Sequence, residues 1–381
     1  MYGMRDAAQL WEKTVAKELK TLGFNRGWSN GCLFYHPVRD LRTSIHGDNF
    51  SSLGARQDLE WFEAEFTKVW DIKLEGLLGP PDEPDCDHQV ATLNRLLTWT
   101  SSGIEWEADP RHVKILLQTL DLADCKGVSA PGLKEKTNGD VEEDEFLSDE
   151  KLTWYRSLSQ RAAYLGQDRS DLGVACREMA KGVQHPTVRH VGILKHLGRY
   201  LKAHPRLVQV FRHQDQARVL HAWGDANHAG CIRTRKSTSG GSVMLGHHSV
   251  MHWRRGQAVV ALSSGEAEFY NAVTLTAESI ALQSLGKDWN LNYSICLHLD
   301  AEACIGALSR RGLGKAKHID TVFMWVQDKI ESTKITIKKE PTKDMIADML
   351  TKFLSGAEVI RFLSLMGYVC REGQRPLSLK A

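Results

Sequence analysis

Four acidic residues sit where carboxylates can do chemistry together. Asp225 closes a strand-like run in HAWGDANHAG, and Asp300 closes another in ICLHLD. Glu268 lies in the first turns of a long helical pattern, in SSGEAEFY, and Asp348 lies in DMIADML. If the two strands are neighbours, their ends bring Asp225 and Asp300 side by side, and helices packed over those ends add Glu268 and Asp348. Four converging carboxylates repel one another and do not all stay ionised alone. Divalent cations resolve the conflict. Hard oxygen ligands with open positions suit Mg²⁺, which keeps water and accepts phosphate oxygens. Two such ions can clamp the attacking and leaving oxygens of an in-line phosphoryl displacement. Each residue also has a plainer reading: an Asp after a strand is commonly a turn residue or a cap, and a Glu near a helix start complements the dipole.

The elements that would position these groups follow from periodicity. Val219–Gly224, Gly241–Leu245 and Val250–Arg254 read as three short strands joined by Gly/Ser-rich turns. A helix over about Ser264–Leu285 follows, then an apolar strand, Ser294–Leu299. Helices over Glu302–Arg311 and Ile319–Lys329, a strand Lys334–Lys338 and a helix from Thr342 complete the pattern. A three-stranded meander followed by helix-connected strands predicts a mixed five-stranded sheet with flanking helices.

Upstream, Ala7–Leu22 is amphipathic, Cys32–Tyr35 and Thr43–Ile45 suggest a hairpin, and Asp58–Val69 is helical. Ile104–Glu107 reads as a strand and Arg111–Leu122 as a helix. Residues 125–150 are rich in Gly, Pro, Ser and acid with no apolar period, which reads as a linker or long loop. Leu158–Lys181 and Thr187–Ala203 both have helical spacing. Lys195, Arg199 and Lys202 share one face of the second, while Leu194, Leu197 and Leu201 share another. From Lys181 to Gln214 there are seven Lys/Arg and no Asp/Glu. Such a face suits a phosphate backbone, and it equally suits solvent.

Composition is that of a soluble globular chain: 381 residues, 42% hydrophobic, formal net charge +2. That average hides an asymmetry. Residues 1–150 carry 16 Lys/Arg against 28 Asp/Glu, and residues 151–381 carry 33 against 19. A basic second part suggests a polyanionic partner, although charge patterning alone is also met by accident. No apolar run approaches the ~20 residues of a membrane span. Met1–Lys13 lacks an apolar signal segment, and the eight cysteines form no Cys-x-x-Cys pair. Expectation is therefore a reducing compartment, no secretion and no membrane partner.

Five motif blocks in order carry a resemblance. They are Asp-Ala-x-x-Ala-Gly at Asp225–Gly230, Arg-Lys-Ser-Thr-Ser-Gly at Arg235–Gly240, Ser-Ser-x-Glu-Ala-Glu-Phe at Ser263–Phe269, Lys-His-Ile-Asp at Lys317–Asp320 and Ala-Asp-x-x-Thr-Lys at Ala347–Lys352. With them, Val219–Leu354 resembles the ribonuclease H domain of copia-type (Pseudoviridae-like) retrotransposon polyproteins. Tyr155–Pro205 resembles the segment joining reverse transcriptase to ribonuclease H in these elements. Tyr2-Gly3-Met4-Arg5, Trp11, Leu22-Gly23-Phe24 and Cys32-Leu33 resemble the polymerase palm.

The resemblance implies an α/β fold, α+β at the N-terminus. Its parts are a truncated reverse transcriptase palm (1–124), an acidic linker (125–150), a helical basic connection (151–215), a ribonuclease H-like domain (216–354) and a C-terminal tail (355–381). It implies Mg²⁺-dependent endonucleolytic hydrolysis of the RNA strand of RNA/DNA hybrids. Two ions would be held by Asp225, Glu268, Asp300 and Asp348, with Glu266 as the reserve ligand. Glu268 is favoured because it stands beside a bulky apolar residue on the buried side of the helix. Lys195, Arg199, Lys202, Arg233, Arg235, Lys236, Arg254, Arg255, Lys315 and Lys317 are the candidate backbone contacts, each with a solvated surface role as its alternative. His318 is a proton carrier, a structural histidine or a phosphate-facing one. The implied partners are the hybrid and the other polyprotein parts, upstream reverse transcriptase and integrase, in a cytoplasmic virus-like-particle setting or the nucleus.

The palm departs from its pattern. The family hairpin is Tyr/Phe-x-Asp-Asp, and here it reads His46-Gly47-Asp48-Asn49. Asn49 is neutral and a poor Mg²⁺ ligand. The earlier strand Asp belongs before the Tyr2-Gly3 block, so Asp48 stands alone and polymerase activity is expected to be absent. The competing expectation for the whole chain is a decayed, non-catalytic retroelement fragment that at most binds nucleic acid.

Overall fold

The computed structural model describes residues 5–133, 145–231, 233–312, 314, 318–319 and 321–373. The chain forms two units, Met1–Glu75 with Thr276–Ile295, and Gly76–Leu275 with Cys296–Ala381.

In the first unit, helix α1 (Ala7–Thr21) and helix α2 (Arg56–Thr67) accompany a four-stranded antiparallel sheet in chain order, β1 (Asn25–Arg26), β2 (Leu33–His36), β3 (Leu41–His46) and β4 (Asn49–Leu53). The stripe expected on α1 is real: Val15 and Leu19 are buried with Phe24, Phe34, Leu41, Phe62 and Phe66 in one core. The Asp288 carboxylate accepts from the backbone N–H groups of Trp28 (2.9 Å), Ser29 (3.0 Å) and Asn30 (3.1 Å). That satisfies a turn whose donors would otherwise lack partners.

The second unit has two five-stranded sheets and a helical cluster. One sheet joins β5 (Gln89–Thr92), β6 (Arg95–Thr100), β7 (Gly103–Ala108), β8 (Arg206–Arg212) and β14 (Tyr368–Arg371), in the order β14-β8-β7-β6-β5. It draws strands from three of the stretches that the sequence separates. The helical cluster comprises α3 (Arg111–Thr119), α4 (Asp149–Asp168), α5 (Gly173–Lys181) and α6 (Val188–Ala203), around Leu116, Tyr155, Leu165, Leu172, Met179, Leu197 and Tyr200.

The single helix expected over Leu158–Lys181 is broken at Arg169–Leu172. Arg169 and Asp171 form a buried ion pair there (Nη2–Oδ2 2.6 Å), closed by the Tyr200 hydroxyl (2.8 Å) and the His204 carbonyl (2.8 Å). A buried pair is tolerable only when its remaining donors and acceptors are filled, and the chain leaves helical geometry to fill them.

The remaining elements are β9 (Val219–Asn227), β10 (Thr238–Leu245), β11 (His248–Gly256), α7 (Ser264–Asp288), β12 (Ser294–Leu299), α8 (Glu302–Leu308), α9 (Trp325–Ser332), β13 (Thr336–Lys339), α10 (Asp348–Thr351) and α11 (Gly356–Leu365). The predicted mixed five-stranded sheet is present in the order β11-β10-β9-β12-β13. β9, β10 and β11 form an antiparallel meander, and β12 runs parallel to β13. β9 and β12 are neighbours, as the carboxylate reading requires.

Two expectations are corrected. Residues 206–212, placed in the helical connection, form β8. Residues 355–373, within the expected tail, form α11 and β14. Ser355 and Glu358 close a capping box at the start of α11. Val359, Phe362, Leu363 and Tyr368 then enter a core with Leu207, Met244, Ile346 and Met349. The expected linker is also tied down at both described flanks: Val128 N–H donates to Arg199 O (3.3 Å) and Leu147 N–H to Pro186 O (2.9 Å).

Candidate active site

Asp225 stands on β9 and Asp300 directly after β12, so adjacency of these strands sets their carboxylates together. Glu268 reaches them from the second turn of α7. One carboxylate oxygen of each lies within 4.8 Å of those of the other two. Asp225 and Glu268 are buried, at 2% and 5% exposure, and Asp300 is half-buried. Glu268 Oε1 accepts from the Ala226 N–H at 3.0 Å, which ties α7 to the strand.

The electrostatics show what the cluster lacks. Burial, then the neighbouring Asp225 charge, pushes the Glu268 carboxyl up to about 8. Burial and Asp225 likewise push Asp348 up to about 6. Carboxyls held this high are waiting for positive charge.

Part of that charge comes from Lys352, whose Nζ lies 3.1 Å from Asp225 Oδ1 and 2.8 Å from Asp348 Oδ1. These two carboxylates hold the ammonium charged above its ordinary range, against the effect of burial. Asp348 therefore joins the site through Lys352. The Thr351 hydroxyl donates to Asp225 Oδ2. Gly240, opposite Asp225 in register, lets α10 lie on the sheet: an ideal Cβ there would come within 2.6 Å of Thr351 Cγ2. The donor set is all oxygen, partly open and short of positive charge, which fits divalent cations of the Mg²⁺ class.

Plant-transposon proteins are among the relatives that match this chain. The retrovirus-related Pol polyprotein from transposon TNT 1-94 of Nicotiana tabacum is 22% identical over 365 residues, 92% of this chain and 26% of that polyprotein. The Pol polyproteins from transposons RE1 and RE2 of Arabidopsis thaliana are each 28% identical, over 56% and 57% of this chain and 15% of theirs. The chain is homologous to retrovirus-related Pol polyproteins of plant transposons. It spans between 15% and 26% of the length of these relatives. No family model matches it. Among solved structures, a foamy viral protease-reverse transcriptase in complex with RNA/DNA hybrid shares its fold, with a TM-score of 0.50 and 11% identity, over 90% of this chain and 39% of the viral one.

In this Pol relative the reserve ligand, Glu266, points to other partners. Its Oε2 accepts from the Leu262 N–H (2.9 Å) and lies 2.9 Å from His318 Nε2. Burial raises its carboxyl, but these bonds outweigh burial and hold it below the ordinary range. His318 is thus engaged with Glu266.

The basic candidates divide. Lys195, Arg233 and Arg235 are exposed, and Lys236 is half-buried. Arg255 is exposed, its guanidinium 5.4 Å from the Trp253 ring centroid. Arg199 Nε donates to Lys126 O (2.8 Å), and Lys202 Nζ to Ala123 O, so both are used by the chain's own backbone. Arg254 lies over Gly173, where any side chain would collide with it, and burial brings its guanidinium down to about 10. Its inward position departs from the expected phosphate contact. Lys315 and Lys317 lie outside the described residues.

Asp48 and Asn49 occupy the β3–β4 hairpin. His46 pairs with Asn49, Gly47 has φ +65°, and both Asp48 and Asn49 are exposed. Gly at the first central position of a two-residue loop fits the twist of the strands. Among the described residues, the carboxylate group with metal-ligand proximity is the Asp225 one, and Asp48 is not in it.

Sequence reasoning missed Thr351 and Lys352 as parts of the site. The signal was available: they stand three and four residues after Asp348, on one helical face.

Proposed function

We propose that this chain catalyses Mg²⁺-dependent endonucleolytic hydrolysis of the RNA strand of RNA/DNA hybrids, as one part of a retroelement polyprotein. The observation that carries the reading is the approach of Asp225, Glu268 and Asp300 to within 4.8 Å, with Lys352 bridging Asp225 to Asp348. In the reaction, a water oxygen bonds to phosphorus and the P–O3′ bond breaks, leaving a 3′-hydroxyl and a 5′-phosphate. Asp225, Glu268 and Asp300 would hold the ions, with Asp348 beside them. When bound, Mg²⁺ supplies electrostatic stabilisation of the charge that builds on the scissile phosphate.

The chain's own groups do the rest. Thr351 fixes the Asp225 carboxylate, and the Ala226 N–H fixes Glu268. Lys352 sets a positive charge 3.1 Å from Asp225 and 2.8 Å from Asp348. Arg233, Arg235, Lys236 and Arg255 would contact phosphates with little base specificity. Choice of the RNA strand would rest on contacts to 2′-hydroxyls.

The reverse transcriptase-like part is proposed to have no polymerase activity, because its hairpin offers Asp48 beside a neutral Asn49. Other polyprotein segments, reverse transcriptase and integrase, are the proposed partners, in a cytoplasmic particle or the nucleus.

The test is cleavage of a labelled RNA strand in a hybrid, with and without Mg²⁺, using the wild-type chain and Asp300→Asn. Product from wild type alone is expected. Equal inertness of the two, with hybrid binding intact, would replace this reading with the non-catalytic fragment.

A further inference from the structure

The strand pair that carries Asp225 and Asp300 carries a second cluster further back, of different chemistry. His221 lies on β9 four residues before Asp225. Cys296 and His298 lie on β12, four and two residues before Asp300. Two-residue alternation puts all of them on the sheet face of the carboxylates. One ligand atom from each of His221, Cys296 and His298 lies within 4.8 Å of those of the other two. We propose that these three residues form a site for a borderline-soft divalent ion, Zn²⁺, separate from the carboxylate site.

The hydrogen bonds prepare the ligands. His298 Nδ1 meets Glu340 Oε2 at 2.6 Å, and His298 Nε2 meets His221 Nδ1 at 2.9 Å. A neutral imidazole has a single N–H, and the carboxylate takes it at Nδ1. The Nε2 lone pair of His298 is therefore turned toward His221. A carboxylate behind a histidine is the arrangement that orients metal-bound imidazole and raises its basicity. Trp223 stacks on the buried His298 ring, centroids 4.3 Å apart at 16°, and locks its orientation.

Size also fits. Zn–N bonds of about 2.0–2.1 Å in tetrahedral geometry place two nitrogens roughly 3.3 Å apart. Opening the 2.9 Å contact by a few tenths of an ångström admits the ion. His221 is half-buried and Cys296 partly exposed, which leaves an approach from solvent and room for water as fourth ligand. The nearby cation, Lys338, is 3.9 Å from Glu340, so that carboxylate balances it. Two nitrogens and a thiolate select Zn²⁺ over Mg²⁺, whereas the three carboxylates select the reverse.

The competing account is a bare Glu340–His298–His221 relay that holds no ion. Zn²⁺ titration of the full chain by calorimetry, with excess Mg²⁺ present, separates the two, together with the absorption spectrum of the Co²⁺-loaded chain. The expected result is one Zn²⁺ whose binding depends on these residues, and a thiolate-to-Co²⁺ charge-transfer band. Cys296→Ser should remove the band and weaken Zn²⁺ at least tenfold, His221→Gln should weaken it similarly, and Glu340→Gln should weaken it about 10–100-fold. Asp300→Asn should leave it unchanged. Thermal midpoints show whether each variant still folds. Zn²⁺ binding that survives Cys296→Ser, or that follows Asp300→Asn instead, overturns the site, as does a folded chain without the band. None of these outcomes depends on hybrid cleavage, so the site and the nuclease reading can fail separately.

Discussion

The sheet of β9 and β12 and the hairpin of β3 and β4 each present an Asp, and only one is part of a carboxylate cluster. Asp225 meets Glu268 and Asp300, delivered by a different helix and a different strand end, in a buried corner with Lys352 behind it. Asp48 meets Asn49, its own neighbour, at 3.5 Å and in solvent. The difference lies in topology. Neighbouring strands, met by a helix that adds Glu268, concentrate like charge until a cation is needed. A two-residue turn spreads its groups outward, where water screens them.

Cleavage is where the contrast should be largest. Asp300→Asn should lower hybrid cleavage on the order of 10²–10³-fold, the scale for losing one group that stabilises transition-state charge. Asp48→Ala should change it less than about twofold. Measured rates on one labelled hybrid check both, and a large loss in Asp48→Ala would break the comparison.

The next effect is on stability. The Glu268 carboxyl rises from an ordinary 4.5 to about 8 in the fold. The folded chain then holds a proton that the unfolded chain releases. The associated stability is fully present below about pH 4.5 and is lost as pH rises through 8. Asp348, raised from 3.8 to about 6, acts in the same direction over a lower window. Without divalent ions, Glu268→Gln should therefore be more stable than wild type at pH 8, on the order of 3 kcal/mol, and should flatten the fall between pH 5 and 8. Urea unfolding across that range checks it. Glu266 is held below its ordinary range. Glu266→Gln should show no such gain, and its equivalence to Glu268→Gln would shift the ligand assignment to the reserve residue.

The two regions were also unequally legible. Alternation and helical spacing predict β9 to β12, and the resemblance implies Asp225, Glu268, Asp300 and Asp348 as the ligands. What stayed hidden depends on long-range pairing. Leu207–Phe211 is a short apolar run that a helix or a strand could use, and only its pairing with Gly103–Glu107 and Tyr368–Arg371 decides. The break at Arg169 is set by Tyr200 and the His204 carbonyl, some thirty residues away in sequence. Arg199 and Lys202 share a basic face as the spacing predicts, but the spacing does not show that the carbonyls of Lys126 and Ala123 accept their hydrogen bonds.

Smaller effects belong to the groups that support the carboxylates. Lys352→Met should lower stability by about 1–2 kcal/mol at pH 7, allowing for an ammonium that is more than a third exposed. Mg²⁺ should recover part of that loss by replacing the missing charge. Thr351→Val removes one hydrogen bond to Asp225 and should cost about 1 kcal/mol. Thermal unfolding with and without Mg²⁺ separates the two, since only the charge deletion should respond strongly to the ion.

The smallest expected effect tests the hairpin itself. Asn49→Asp restores a second carboxylate beside Asp48. If residue type alone made a metal site, this change would create Mg²⁺ affinity there. Geometry argues otherwise. Asp48 and Asn49 are both exposed, and among the described residues no group with metal-ligand proximity includes Asp48. Two adjacent exposed carboxylates repel weakly in water and bring no third ligand from another element. Stability should change within about 0.5 kcal/mol. Magnetic resonance shifts of residues 46–50 should not move on adding millimolar Mg²⁺, while residues around Asp225 should. Shifts confined to the hairpin would show that sequence identity, and not the convergence of separate elements, makes the site.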